Sequence, residues 1–141
     1  MPTIKSVMTA FPYAIAIDRS ASQARRMMAE HGIHHLPVMD GERLVGVVTK
    51  REIERVLDVA RRGEGTNDPR LDQVTLTRAL VVDLTASLDR VLTEMAEKHF
   101  ETTLVVKDRK LAGIFTRSDA CRWFGRLLRD LFPAGDGEDA A

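Results

Sequence analysis

Gly46-Val47-Val48-Thr49-Lys50-Arg51-Glu52 returns 67 residues later, with no gap needed, as Gly113-Ile114-Phe115-Thr116-Arg117-Ser118-Asp119. Working outward, Met28-Ala29-Glu30 returns as Met95-Ala96-Glu97, and Ser20, Val38 and Leu44 return as Ser87, Val105 and Leu111. The register holds from Val7 to Ile53. A supersecondary unit written twice cannot bury its apolar side alone, so the two copies are expected to pack face to face. The groove between them is the expected binding site.

Each copy reads strand, helix, strand, strand, helix, which places the chain in the α/β (α+β) class. In the first copy, Tyr13 to Ile17 is a short apolar run, and Ser20 with Gln23 spells a helix capping box. Ala24, Met27, Met28 and His31 follow at helical spacing, and Gly32 supplies a left-handed residue to stop the helix. Strands are expected at Leu36 to Met39 and Leu44 to Val48, joined by a turn at Asp40-Gly41, with a second helix from about Thr49. The second copy repeats this order with Val81 to Leu84, a helix carrying Leu88, Val91, Leu92 and Met95, then Thr103 to Val106 and Leu111 to Phe115. It has His99 where the first copy has its terminating glycine. The methionines Met27, Met28 and Met95 stand at core positions.

The polar stretch from Arg61 to Pro69 reads as an exposed connection. The repeats are expected over residues 4–60 and 71–132, followed by a small acidic tail, 133–141, with nothing to bury and expected to be disordered. The last helix carries a broad apolar stripe of Ala120, Cys121, Phe124, Leu127, Leu128, Leu131 and Phe132, widened by Trp123. Two readings stay open: the stripe packs on its own sheet, or part of it meets a second chain.

A chain of 141 residues can bury a sizeable core without staples. Its 21 basic and 21 acidic side chains cancel, so no global field attracts nucleic acid or an anionic membrane. Any anion site must be local. The single cysteine, Cys121, excludes an internal disulfide and reads as a small buried hydrophobe. With no signal segment and no apolar run of spanning length, a cytoplasmic protein is expected.

Val7-Met8-Thr9, Pro12, then His31-Gly32-Ile33-His34-His35-Leu36-Pro37-Val38 and Leu44-Val45-Gly46-Val47-Val48-Thr49 resemble the CBS domain, the module named after cystathionine β-synthase. The second copy resembles it more loosely, and the likeness covers roughly Ile4 to Phe124. The resemblance implies a tandem pair with pseudo-twofold symmetry, two clefts between the copies, frequent dimerisation into a disc, and adenine nucleotides or adenosyl compounds as ligands. The family's ribose motif is glycine, two apolar residues, threonine or serine, two variable residues and aspartate. The stretch from Gly113 to Asp119 fits it fully, whereas the first copy has Glu52 in the aspartate position.

Residue chemistry runs parallel to this. A carboxylate can accept from both hydroxyls of a ribose diol, which suits Asp119. At a strand-to-helix junction the free amides favour an anion, with the Thr116 hydroxyl and the Arg117 charge beside them. Ile114 and, by family analogy, Tyr13, Ile33 and Pro37 would wall the adenine, and His34 or His35 would line the cleft. Thr49 and Glu52 form a weaker second cleft, because the longer side chain intrudes on the diol. A plain structural account competes at both motifs, since threonine followed by an acid three residues later is also a capping box. Gly32 breaks the helix between His31 and His35, so no metal site is expected.

The expected function is therefore a stand-alone regulatory module, not an enzyme. It would bind AMP, ADP, ATP or S-adenosylmethionine between the repeats, form a homodimer and signal occupancy to an unknown partner protein. It requires no cofactor. The alternative is a ligand-free dimeric interaction scaffold.

Overall fold

The structure is a computed structural model and describes residues 1–63 and 67–135. Glu64, Gly65 and Thr66 of the expected connection, and residues 136–141 of the expected tail, lie outside the described residues. Among the described residues, seven strands form two small mixed sheets, accompanied by four α-helices and two short 3-10 helices.

The first sheet joins β2 (Ile15–Ala16), β3 (His35–Asp40) and β4 (Arg43–Thr49), with β2 parallel and β4 antiparallel to β3. Its helices are α1 (Ala21–His31) and α2 (Lys50–Arg61). The second joins β5 (Leu80–Asp83), β6 (Thr102–Lys107) and β7 (Lys110–Thr116) in the same way, with α3 (Leu88–Lys98) and α4 (Arg117–Leu131). The duplication reaches fine detail: the register slips between Val38 and Met39 in one copy and between Val105 and Val106 in the other.

Local chemistry sets the helix ends. The Ser20 side chain accepts from the Gln23 amide while the Gln23 side chain accepts from the Ser20 amide, so the expected capping box forms. Gly32 ends α1 at φ 62, and His99 ends α3 in nearly the same conformation, at φ 58. A side chain in the left-handed region costs roughly 1–2 kcal/mol, so the second copy is stopped by packing rather than by its own backbone preference.

The leading segments are exchanged between the copies. The 3-10 helix Ile4–Ser6 sits in the core of the second copy with Val91, Met95, Val105 and Phe115. Its counterpart Leu71–Gln73 sits in the core of the first copy with Ile15, Met28, Leu36 and Ile53. Backbone bonds fix both: the Ile4 amide donates to Ala86 O at 2.8 Å, and the Leu71 amide donates to Arg19 O at 2.8 Å. From the first leader, β1 (Thr9–Ala10) then pairs antiparallel with β7. From the second, Thr77 bridges to Val47 on β4. A third buried cluster, Val47, Leu104 and Ile114, seals the seam between the sheets.

Cys121, expected to be buried, is exposed, and no residue of α4 is buried. Only the start of α4 is held by the sheet, with Ala120 packed against the second core, so the stripe beyond it has no covering layer within the described chain. Tyr13 also leaves the strand it was expected to open: its ring stacks on His31, centroids 3.6 Å apart.

Candidate functional site

Both repeats of the motif sit at strand-to-helix junctions. At the first, the Thr49 hydroxyl accepts from the Glu52 amide (3.3 Å) and the Glu52 carboxylate from the Thr49 amide (3.1 Å). At the second, the Thr116 hydroxyl accepts from the Asp119 amide (3.3 Å) and the Asp119 carboxylate from the Thr116 amide (2.8 Å). The capping role is thus filled at both motifs, and only one oxygen of each carboxylate is spent on it.

The second oxygens differ. That of Glu52 accepts from the Thr77 hydroxyl, brought in by the leader of the other copy. That of Asp119 accepts at 2.6 Å from Arg122, whose side chain is 68% exposed against 19% for the carboxylate. An exposed ion pair is weak and readily exchanged, so the Asp119 oxygen is the more available acceptor.

The junctions face one another across a cleft of about 790 Å3, a size that suits a small-molecule ligand. Of the expected residues it brings together His34, His35, Thr49, Glu52, Thr116 and Arg117. The two motifs therefore share a cleft, where two separate clefts were expected. Asp119, in the first turn of α4 three residues after Thr116, is not among the lining residues; its carboxylate is bonded as described. The expected adenine walls are not among its lining. Pro37 is buried in β3, Ile114 is buried in the seam, Ile33 packs on the first core, and Tyr13 is held by His31.

Other lining residues were not legible as site residues. Lys50, Arg51, Glu54 and Arg55 come from the first turns of α2, Thr77 and Arg78 from the second leader, and His99, Glu101 and Ser118 from the second copy. Arg51 and Arg55 carried a signal, four positions apart immediately after a ligand-type motif. Arg78 carried none, because only the exchange of leaders brings it here. Its guanidinium lies 5.8 Å from the centre of the Phe100 ring.

Burial holds the His35 imidazole below its ordinary pKa, helped by His34 and opposed by the nearby carboxylates of Glu101, Asp119 and Glu52. Beside the cleft, a second cavity of about 340 Å3 shares His99 and Arg117 with it and runs between α3 and α4. Its origin is a single substitution between the copies: Ile53 is fully buried between α1 and α2, whereas its counterpart is the small Ala120.

A sequence profile for the CBS domain matches residues 4–59 and 71–126. The chain is 34% identical over 125 residues to YlbB of Bacillus subtilis, covering 84% of this chain and 80% of that protein. Three solved structures share the fold. Hypoxic Response Protein I, solved with two coordinated zinc ions, is 28% identical with a TM-score of 0.69, covering 86% of this chain and 98% of that one. CBSX2, solved with AMP, is 25% identical with a TM-score of 0.73, covering 92% and 100%. The CBS domain pair of MJ0100, solved with 5-methylthioadenosine and S-adenosyl-L-methionine, is 25% identical with a TM-score of 0.73, covering 88% and 100%.

The zinc-bearing relative prompts a test of the histidines. Among the described residues no three of His, Cys, Asp and Glu gather closely enough to hold a metal ion. No described helix is long and apolar enough to cross a membrane. With both halves matched and the exchanged leaders binding them into one module, the chain belongs to the CBS domain family as a tandem pair.

Proposed function

We propose that the chain is a regulatory module, not an enzyme, which binds an adenosine-containing ligand between its repeats and passes occupancy to a partner protein. The observation that carries this reading is the convergence of two strand-to-helix junctions, Thr49 to Glu52 and Thr116 to Ser118, on one cleft of ligand size. Adenosine ligands in two related pairs support it. Asp119 receives the ribose diol, the Thr116 hydroxyl and the Ser118 amide receive the phosphate side, and Arg117 adds charge. Thr49 and Glu52 contribute less, because Thr77 already occupies the outer Glu52 oxygen. The ligand acts by population shift: held by both copies, it favours one relative packing of them. The protein works as a cytoplasmic homodimer.

A thermal-shift series with AMP, ADP, ATP and S-adenosylmethionine tests the reading, since a ligand specific for the folded state raises the melting temperature. At least one should raise it in a concentration-dependent manner. No shift from any of them at millimolar concentration favours the scaffold reading, for which the bare apolar face of α4 is the supporting observation.

A further inference from the structure

We infer that this cleft selects among adenosine ligands by phosphate charge, with Arg51, Arg55 and Arg78 as the residues that grip the phosphates. The inference rests on the adenosine reading above and names the class of ligand within it. Five cationic side chains line the cleft, Lys50, Arg51, Arg55, Arg78 and Arg117, against three carboxylates, Glu52, Glu54 and Glu101.

Each carboxylate has a partner, loosely so for the exposed Glu54 and Glu101. Glu54 pairs with Lys50 and Glu101 with Arg117, each at 3.9 Å, and Glu52 is held by its own capping box and by Thr77. Arg51, Arg55 and Arg78 form no ion pair among the described residues.

The placement of these charges is unfavourable without a ligand. Arg51 and Arg55 are like charges four residues apart on one helix face, which destabilises a helix. Lys50, Arg51 and Arg117 stand in the first turns of α2 and α4, where the helix dipole already leaves positive charge. Each conflict is relieved by an anion in the cleft. A guanidinium grips a phosphate through paired, charge-assisted hydrogen bonds, and the Arg51 and Ser118 amides add donors, the Lys50, Glu52, Arg117 and Asp119 amides being already bonded. Arg78 approaches from the leader, so the phosphates are held from both α2 and the segment that enters the second copy. A sulfonium adenosyl compound brings positive charge into a positive cleft, and neutral adenosine gains nothing from it.

The test is calorimetric titration of the full chain with ATP, AMP, adenosine, S-adenosylmethionine and inorganic tripolyphosphate, at low and high salt. ATP and AMP should bind roughly tenfold or more tightly than adenosine or S-adenosylmethionine, with the gap narrowing in high salt. The double variant Arg51→Gln, Arg55→Gln should bring ATP down towards adenosine while leaving adenosine itself unchanged. Arg78→Gln should do so in part. These side chains are exposed and their charges repel in the free protein, so a ligand-free melting temperature that is unchanged or raised serves as the folding control.

If adenosine or S-adenosylmethionine binds as tightly as ATP, or the arginine variants keep the preference, the inference is overturned while the adenosine reading stands. If tripolyphosphate binds but ATP gains nothing from its adenosine, the adenosine reading fails and the charge selection survives. Binding of none overturns both.

Discussion

Glu52 and Asp119 hold equivalent positions in the two copies and differ by one methylene and one neighbour. The neighbour decides more. Thr77 reaches Glu52 because the second leader crosses the first sheet, whereas Asp119 accepts nothing from the first leader and its outer oxygen goes to the exposed Arg122 instead. Asp119→Ala is therefore expected to weaken adenosine-ligand binding by about 1.5–3 kcal/mol, roughly ten- to a hundredfold. Glu52→Ala should change affinity much less and lower the melting temperature through its lost cap and its lost tie to Thr77. Calorimetry paired with ligand-free melting separates the two effects; unchanged affinity after Asp119→Ala with loss after Glu52→Ala would reverse the assignment. His35 gives a pH prediction. Burial lowers its pKa in the folded state, so the unfolded chain binds its proton first as pH falls below about 6.5. Stability contributed by the neutral imidazole is complete above that pH and declines through more acidic values. Urea midpoints measured between pH 7.5 and 5 should fall, and His35→Gln should flatten that slope.

At the scale of elements, the glycines that open the two motifs have a structural purpose of their own. A Cβ on Gly113 would meet Met8 Cγ at 2.9 Å and the Thr9 carbonyl oxygen at 3.1 Å, because β1 lies across β7 at that point. Gly113→Ala should thus cost about 1–3 kcal/mol in a denaturant titration. Gly125→Ala on α4, where the nearest atom is Arg129 Nη1 at 3.9 Å, should instead gain about 0.5–1 kcal/mol. This contrast also marks what could be read from the chain. Ser20, Gln23, Gly32 and the two Thr-x-x-acid motifs report their elements directly, because capping and left-handed stops are local chemistry. The exchange of leaders was not legible: Ile4 and Leu71 are apolar wherever they go, and only tertiary packing decides which copy takes them. From that exchange follow the two motifs' meeting in one cleft, the arrival of Thr77 and Arg78, and the occupation of Ile114 by the seam instead of a ligand. Burial of Cys121 was misjudged for a related reason, since an apolar stripe shows which face wants cover but not whether the same chain supplies it.

On the scale of the whole molecule, that uncovered face is the largest remaining demand of the sequence. Phe124, Leu131 and Phe132 are 61%, 62% and 73% exposed, and Trp123, Leu127 and Leu128 stand beside them. A contiguous apolar surface of this kind marks an interaction site on a soluble protein. Homo-oligomers most often close as twofold pairs, so two α4 helices meeting across an axis would cover both stripes at once. Arg122 and Arg129 lie on the other side of the helix from the stripe and would remain in water, while Arg126 borders it, its guanidinium 5.4 Å from the centre of the Trp123 ring. Sedimentation at micromolar concentration should therefore show a dimer. Leu128→Asp, which would bury an unpaired carboxylate in that contact, should shift it to monomer without lowering the cooperativity of unfolding, because Leu128 touches neither buried core. A wild-type chain that sediments as a monomer removes the homodimer from the proposal. A dimer that survives Leu128→Asp places the contact elsewhere and leaves the α4 face to a different protein. Ligand titration of the monomeric variant adds a further reading: unchanged affinity means that the cleft and the dimer contact are energetically separate, whereas a changed affinity measures the coupling by which occupancy would reach the second chain.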